Sequence, residues 1–130
     1  MIDTSRKVLI VDDMVTQRKV LKRILAELGF KDLVEAENGK SALDIVSVPE
    51  SKIELVLCDW NMPEMDGLTF LKAFRAIPDH SATPFLMVTA EGEVSNVFEA
   101  SKAGATSYLV KPVSKESLTG KLEVIFKAKG

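Results

Sequence analysis

Short apolar runs alternate along this chain with stretches of helical period. Lys7-Val8-Leu9-Ile10-Val11 is apolar and ends in Asp12-Asp13. From Val15 the period changes: Val20, Leu21, Ile24, Leu25 and Leu28 recur at helical spacing among Gln17, Arg18, Lys19, Lys22 and Arg23, and Gly29 stops the helix. Leu33-Val34-Glu35-Ala36 predicts a weaker strand. Asn38-Gly39 opens a second helix, with Ala42, Leu43, Ile45 and Val46 on its apolar face and Pro49 closing it. The run Ile53 to Cys58 predicts the third strand, ending at Asp59 before Pro63 and the turn-like Asp66-Gly67.

Asp66 caps a third helix carrying Leu68, Leu71 and Phe74, which ends near Pro78. Pro84-Phe85-Leu86-Met87-Val88 predicts the fourth strand, finishing at Thr89-Ala90. Val94, Val97, Phe98 and Ser101 space out a fourth helix, stopped by Gly104. Thr106-Ser107-Tyr108-Leu109-Val110 predicts the fifth strand, ending at Lys111-Pro112. Ser114 caps a last helix that buries Leu118, Leu122, Ile125 and Phe126. Five strands alternating with five helices imply one α/β domain over residues 1–130. Its five-stranded parallel sheet is doubly wound, with helices on both faces.

Composition adds exclusions. Apolar residues make 46% and charged residues 28% of the chain, as in an ordinary globular protein. The formal net charge of −2 gives no pull toward nucleic acid or an anionic membrane. The single cysteine, Cys58, lies in an apolar run, where a small core residue is expected, and allows no internal disulfide framework. No apolar stretch approaches membrane-spanning length and the polar start has no signal-peptide core, so a cytoplasmic protein is expected.

The chemistry sits at the strand ends. Asp12 and Asp13 follow the first strand, Asp59 the third, Thr89 the fourth and Lys111 the fifth, all on the carboxyl edge where α/β sheets bind ligands. Two like charges about 4 Å apart repel by about 4 kcal/mol at an effective dielectric of about 20, so such a cluster calls for a cation. Carboxylate, carbonyl and water ligands suit magnesium. A carboxylate can also act as a nucleophile toward phosphorus.

Asp12-Asp13, the stretch Asp59-Trp60-Asn61-Met62-Pro63-Glu64-Met65-Asp66-Gly67, Met87-Val88-Thr89-Ala90-Glu91 and Tyr108-Leu109-Val110-Lys111-Pro112 together carry a family resemblance. From about Lys7 to Ala128 the chain resembles the receiver domains of bacterial two-component response regulators, a flavodoxin-like fold, and within them the single-domain chemotaxis regulators. The resemblance implies that Asp59 is the phosphoacceptor. Asp13 and Asp59 would hold Mg2+ through their carboxylates, Asn61 through its main-chain carbonyl and Asp12 through bound water. Lys111 would pair with Asp59 and then with the phosphoryl group; Thr89 would donate its hydroxyl to that group, and Tyr108 would change rotamer with it. A cis peptide bond is implied at Lys111-Pro112.

The resemblance further implies a monomeric signalling switch that is not a turnover enzyme. Its phosphodonor would be a chemotaxis-type histidine kinase, with a phosphatase as a further partner and the flagellar motor switch protein or another output protein as target. The output surface would comprise Glu93, Val94, Val97, Tyr108 and Lys121. The chemotaxis members carry adjacent lysines at the positions of Glu93 and Val94, so this chain departs from them there. Asn61 and Glu91 match those members and imply a short-lived signal. A phosphate sink or adaptor is the alternative role. An aspartyl-phosphate phosphatase of the haloacid-dehalogenase type is disfavoured, because Asn61 stands where that chemistry needs a second aspartate. Other residues have plainer readings. Tyr108 also fits half-buried strand packing, Trp60 a lid at the pocket edge or an exposed aromatic, and His80 a solvated loop position. Arg18, Lys19, Lys22 and Arg23 read as the wet face of the first helix.

Overall fold

A computed structural model describes residues 2–90 and 97–127 of the chain. Five strands form one sheet: β1 (Val8–Val11), β2 (Leu33–Ala36), β3 (Leu55–Asp59), β4 (Phe85–Thr89) and β5 (Ser107–Val110). Their order is β2-β1-β3-β4-β5, and every neighbouring pair is parallel. Between them lie α1 (Val15–Leu28), α2 (Gly39–Val46), α3 (Gly67–Ala76) and α4 (Val97–Ala103), with α5 (Lys115–Lys127) last.

The predicted strands are all present, with small shifts at their ends. β3 starts at Leu55 rather than Ile53, although Ile53 is buried and the Glu54 N–H donates to the Lys7 carbonyl at 2.9 Å. Side chains along β1, β3 and β4 are buried on both faces, which explains their unbroken apolar runs. One face packs Val8, Ile10, Leu57 and Leu86 against Leu21 and Leu25 of α1 and Leu118 and Leu122 of α5. The other packs Leu9, Val56, Cys58 and Met87 against Ala42, Phe70, Phe74 and Ala100 of α2, α3 and α4. Each fully buried Leu or Phe contributes about 1.5–3 kcal/mol relative to exposure, so these two layers hold the sheet between its helices.

The caps read from the sequence are in place. The Asn38 side chain accepts from the Ser41 N–H and Asp66 from the Thr69 N–H, each at 2.8 Å. Ser114 Oγ accepts from the Ser117 N–H at 3.0 Å. Gly29 ends α1 at φ 108°, a left-handed conformation that glycine adopts without steric cost. The Lys111–Pro112 peptide is cis.

Two readings are corrected. His80 is 6% exposed rather than solvated: its ring stacks on Phe74 at 4.4 Å and its Nδ1 meets Thr83 Oγ1 at 2.9 Å. Phe98, placed on the apolar spacing of the fourth helix, instead faces outward at 70% exposure with Lys102 Nζ 5.0 Å from its ring. Glu91, Glu93 and Val94 lie outside the described residues.

Candidate functional site

The chain reverses its direction of strand addition between β1 and β3. In an open parallel sheet the crevice at such a point, beyond the carboxyl ends of the strands, is where ligands bind. β1 delivers Asp12 and Asp13 to it and β3 delivers Asp59. Asp12 and Asp59 are buried and Asp13 is exposed. One carboxylate oxygen from each of the three lies within 4.8 Å of the others. From the end of β5, Lys111 Nζ reaches Asp59 Oδ1 at 3.0 Å and Asp12 Oδ2 at 3.6 Å. Of the strand-end residues, Asp12, Asp13, Asp59 and Lys111 therefore meet as expected.

The backbone fixes these ends. The Asp12 N–H donates to the Ala36 carbonyl at 3.1 Å, the Trp60 N–H to Val88 at 3.1 Å and the Lys111 N–H to Thr89 at 2.8 Å. After β3 the chain folds back so that the Gly67 N–H reaches the Trp60 carbonyl at 2.8 Å. A Cβ on Gly67 would clash with the Asp59 carbonyl oxygen, so only glycine lets α3 begin so close to the acidic centre. Thr89 is buried at the end of β4, its hydroxyl donating to the Ala90 carbonyl at a long 3.4 Å. Asn61 lies exposed two residues past β3.

Burial dominates the electrostatics. It raises the pKa of Asp59, against the hydrogen bond from Lys111 and with the added repulsion of Asp12 and Asp13. Burial likewise raises Asp12, opposed by the Met14 N–H that its carboxylate accepts at 2.9 Å and by Lys111. At Lys111 burial works against the ammonium, but the pairing with Asp59 and Asp12 outweighs it and leaves the pKa raised. Three carboxylates facing one lysine form a set of hard oxygen donors with negative charge in excess, which fits a divalent cation.

Residues 8–123 match the family model described as the response regulator receiver domain. The chain belongs to the response regulator receiver family. The chemotaxis protein CheY homolog of Campylobacter jejuni strain 81-176 is 43% identical over 117 residues, covering 90% of this chain and 89% of the relative. Among solved structures, chemotaxis response regulator CheY4 of Vibrio cholerae superposes with a TM-score of 0.84 at 34% identity, covering 94% of this chain and 99% of that one. A putative response regulator from Chloroflexus aurantiacus gives 0.86 at 31% identity, over 94% and 98%. The chain is thus a CheY-like receiver of two-component signalling. Receivers of this kind take phosphoryl groups from histidine kinases and bind output partners.

The residues expected on the receiver's output surface also gather, as far as they are described. Val97 and Tyr108 line a cavity of about 220 Å³ between α4 and β5, together with Ala100, Ser101 and Ser107. Tyr108 is half-buried, and Lys121 Nζ of α5 sits 4.6 Å from its ring centroid. Val94 falls outside the described residues.

Trp60 is not an exposed aromatic. It is 8% exposed and packs in the core layer beneath α2, α3 and α4, because the turn after β3 carries it inward. Arg18 was missed as a residue of the site. It does not lie on the wet face of α1: Nη1 donates to the Asp12 carbonyl at 2.6 Å and Nε to Glu35 Oε1 at 3.0 Å. No periodicity could show this, because it depends on β2 lying beside β1 with Glu35 in register with Ile10. Among the described residues no helix is long and apolar enough to cross a membrane.

Proposed function

We propose that this receiver is a phosphorylation-dependent switch in which Asp59 accepts a phosphoryl group from a histidine kinase and the altered surface around Tyr108 binds an output protein. The observation that carries this reading is the ion pair of Lys111 with Asp59 inside the three-carboxylate cluster. Asp59 presents a carboxylate held in place by Lys111. Its oxygen forms the new bond to phosphorus while the bond from phosphorus to the donor imidazole breaks, and the imidazole nitrogen takes up a proton. Asp13 and Asp59 would bind Mg2+ by their carboxylates, Asn61 by its carbonyl and Asp12 through water. The ion supplies neutralisation of the charge on the transferring group. Lys111 then turns from the carboxylate to a phosphoryl oxygen, and the Thr89 hydroxyl gives up its long bond to Ala90 for another. The protein acts as acceptor rather than as a turnover enzyme.

Movement of Thr89 toward the phosphoryl group frees space beside β5, into which Tyr108 turns, leaving its contact with Lys121 and altering the surface that includes Val97 and Lys121. Binding of an output protein there and phosphorylation favour each other by the same factor, as linkage requires. The flagellar motor switch protein is the proposed output partner, consistent with the chemotaxis relatives. The test is incubation with a phosphorylated chemotaxis-type histidine kinase, with and without chelator. Metal-dependent transfer of label to this protein supports the reading; retention of label on the kinase in the presence of Mg2+ refutes it.

A further inference from the structure

Arg18 lies in the first turns of α1 with its side chain only 14% exposed, unlike an ordinary solvated helix arginine. The guanidinium spans two acceptors. Nη1 donates to the Asp12 carbonyl at 2.6 Å and Nε to Glu35 Oε1 at 3.0 Å, while Lys22 holds Glu35 Oε2 at 3.0 Å. Asp12 is thereby gripped at three further points besides Lys111. Its N–H donates to Ala36, its carbonyl accepts from Arg18 and its Oδ1 accepts from the Met14 N–H. The peptide after Asp12 leads directly to Asp13, the exposed member of the carboxylate cluster. Met14, the residue before α1, makes no side-chain cap of its own, so the turn into the helix is held by the Asp12 carboxylate and by Arg18.

We infer that Arg18, held by Glu35, is a positioning residue for the cation site: it fixes the Asp12–Asp13 peptide so that the two carboxylates face Asp59. The inference rests on the proposed function, in which these carboxylates receive a divalent cation. Its direction separates it from a simple charge effect. Removing a positive charge beside three carboxylates would tighten cation binding if charge were all that mattered. Removing the brace instead weakens binding, because the ligands must be ordered when the ion arrives. Lysine cannot replace arginine here, since one ammonium lacks the rigid fork that reaches both the carbonyl and Glu35.

The test uses Mn2+ as a paramagnetic stand-in, with the free ion followed by electron paramagnetic resonance in the full chain. The proteins are the wild type, Arg18→Met, Arg18→Lys and Leu118→Val, the last a core substitution on α5 away from the brace. Arg18→Met is expected to weaken Mn2+ binding about tenfold, at the low end of what an orienting partner contributes. Arg18→Lys, which keeps the charge but not the fork, weakens it several-fold, and Leu118→Val leaves it unchanged. Should Arg18→Met fail to fold, Arg18→Lys carries the same comparison. Unchanged or tighter binding in the Arg18 variants, or an equal loss in Leu118→Val, overturns the inference. A wild type that takes up no Mn2+ at all overturns the proposed function on which it stands.

Discussion

Replacing Lys111 by Met keeps most of the aliphatic stem but removes the only cation within reach of both buried carboxylates among the described residues. At 3.0 Å and 3.6 Å, and an effective dielectric of about 20, each attraction is worth about 5 kcal/mol before desolvation is counted. Stripping water from the ammonium offsets much of that, and breaking a buried pair on one side costs about 3–5 kcal/mol in net terms. The Lys111 side chain is 23% exposed, so a loss of about 2–3 kcal/mol is expected near neutral pH in metal-free buffer.

The loss depends on pH with a definite sign. Asp12 and Asp59 have folded-state pKa values raised by burial, so their favourable contribution is present at low pH and disappears as pH rises through those values. Without Lys111 an opposing influence is gone and both values rise further. The stability gap between wild type and Lys111→Met is therefore small at about pH 4.5, where the carboxylates can protonate, and widens toward about pH 7.5. Urea unfolding at both values, with chelator, reads this directly. A gap that stays constant across the range would refute the electrostatic account of the pocket.

Other outcomes follow from the same geometry. Gly67→Ala drives a methyl group into the Asp59 carbonyl oxygen, so the turn must shift. A loss of at least about 2 kcal/mol in urea unfolding and slower phosphorylation by a small-molecule phosphodonor are expected. Trp60 directly follows Asp59, and its fluorescence should change on adding Mg2+ and again on phosphorylation; a flat titration in folded protein would contradict metal binding at the carboxylates. His80 has a pKa lowered by burial, so its contribution is present above the usual imidazole range and lost as pH falls through it. His80→Phe should remove that part of the acid destabilisation, measured as the difference in unfolding free energy between the two proteins as pH is lowered.

The strands were legible because β1, β3 and β4 are buried on both faces, which forces continuous apolar runs, and each ends in a polar residue. Once the sheet is parallel, Asp12, Asp13, Asp59, Thr89 and Lys111 must share an edge, so the meeting of the three carboxylates with Lys111 could be read without coordinates. What could not be read depends on contacts between distant segments. Arg18 looked like a wet residue because its acceptors, the Asp12 carbonyl and Glu35, meet only when β2 pairs with β1. His80 is covered through Phe74 and Thr83, and Trp60 is turned inward by the Gly67 hydrogen bond to its carbonyl. Phe98 follows the helical period yet faces out, since a short helix can carry an apolar residue beyond its buried stripe.

The central claim is that Asp59 is the phosphoacceptor. The most direct measurement is intact-mass and peptide mapping of wild type and Asp59→Asn after treatment with acetyl phosphate and Mg2+. The substitution preserves shape and removes the nucleophilic carboxylate. The account predicts one phosphoryl group on the wild-type peptide containing Asp59, labile to acid and base, and none on the folded variant. A phosphoryl group at normal yield in Asp59→Asn, or mapped to Asp12 or Asp13 in the wild type, would contradict it.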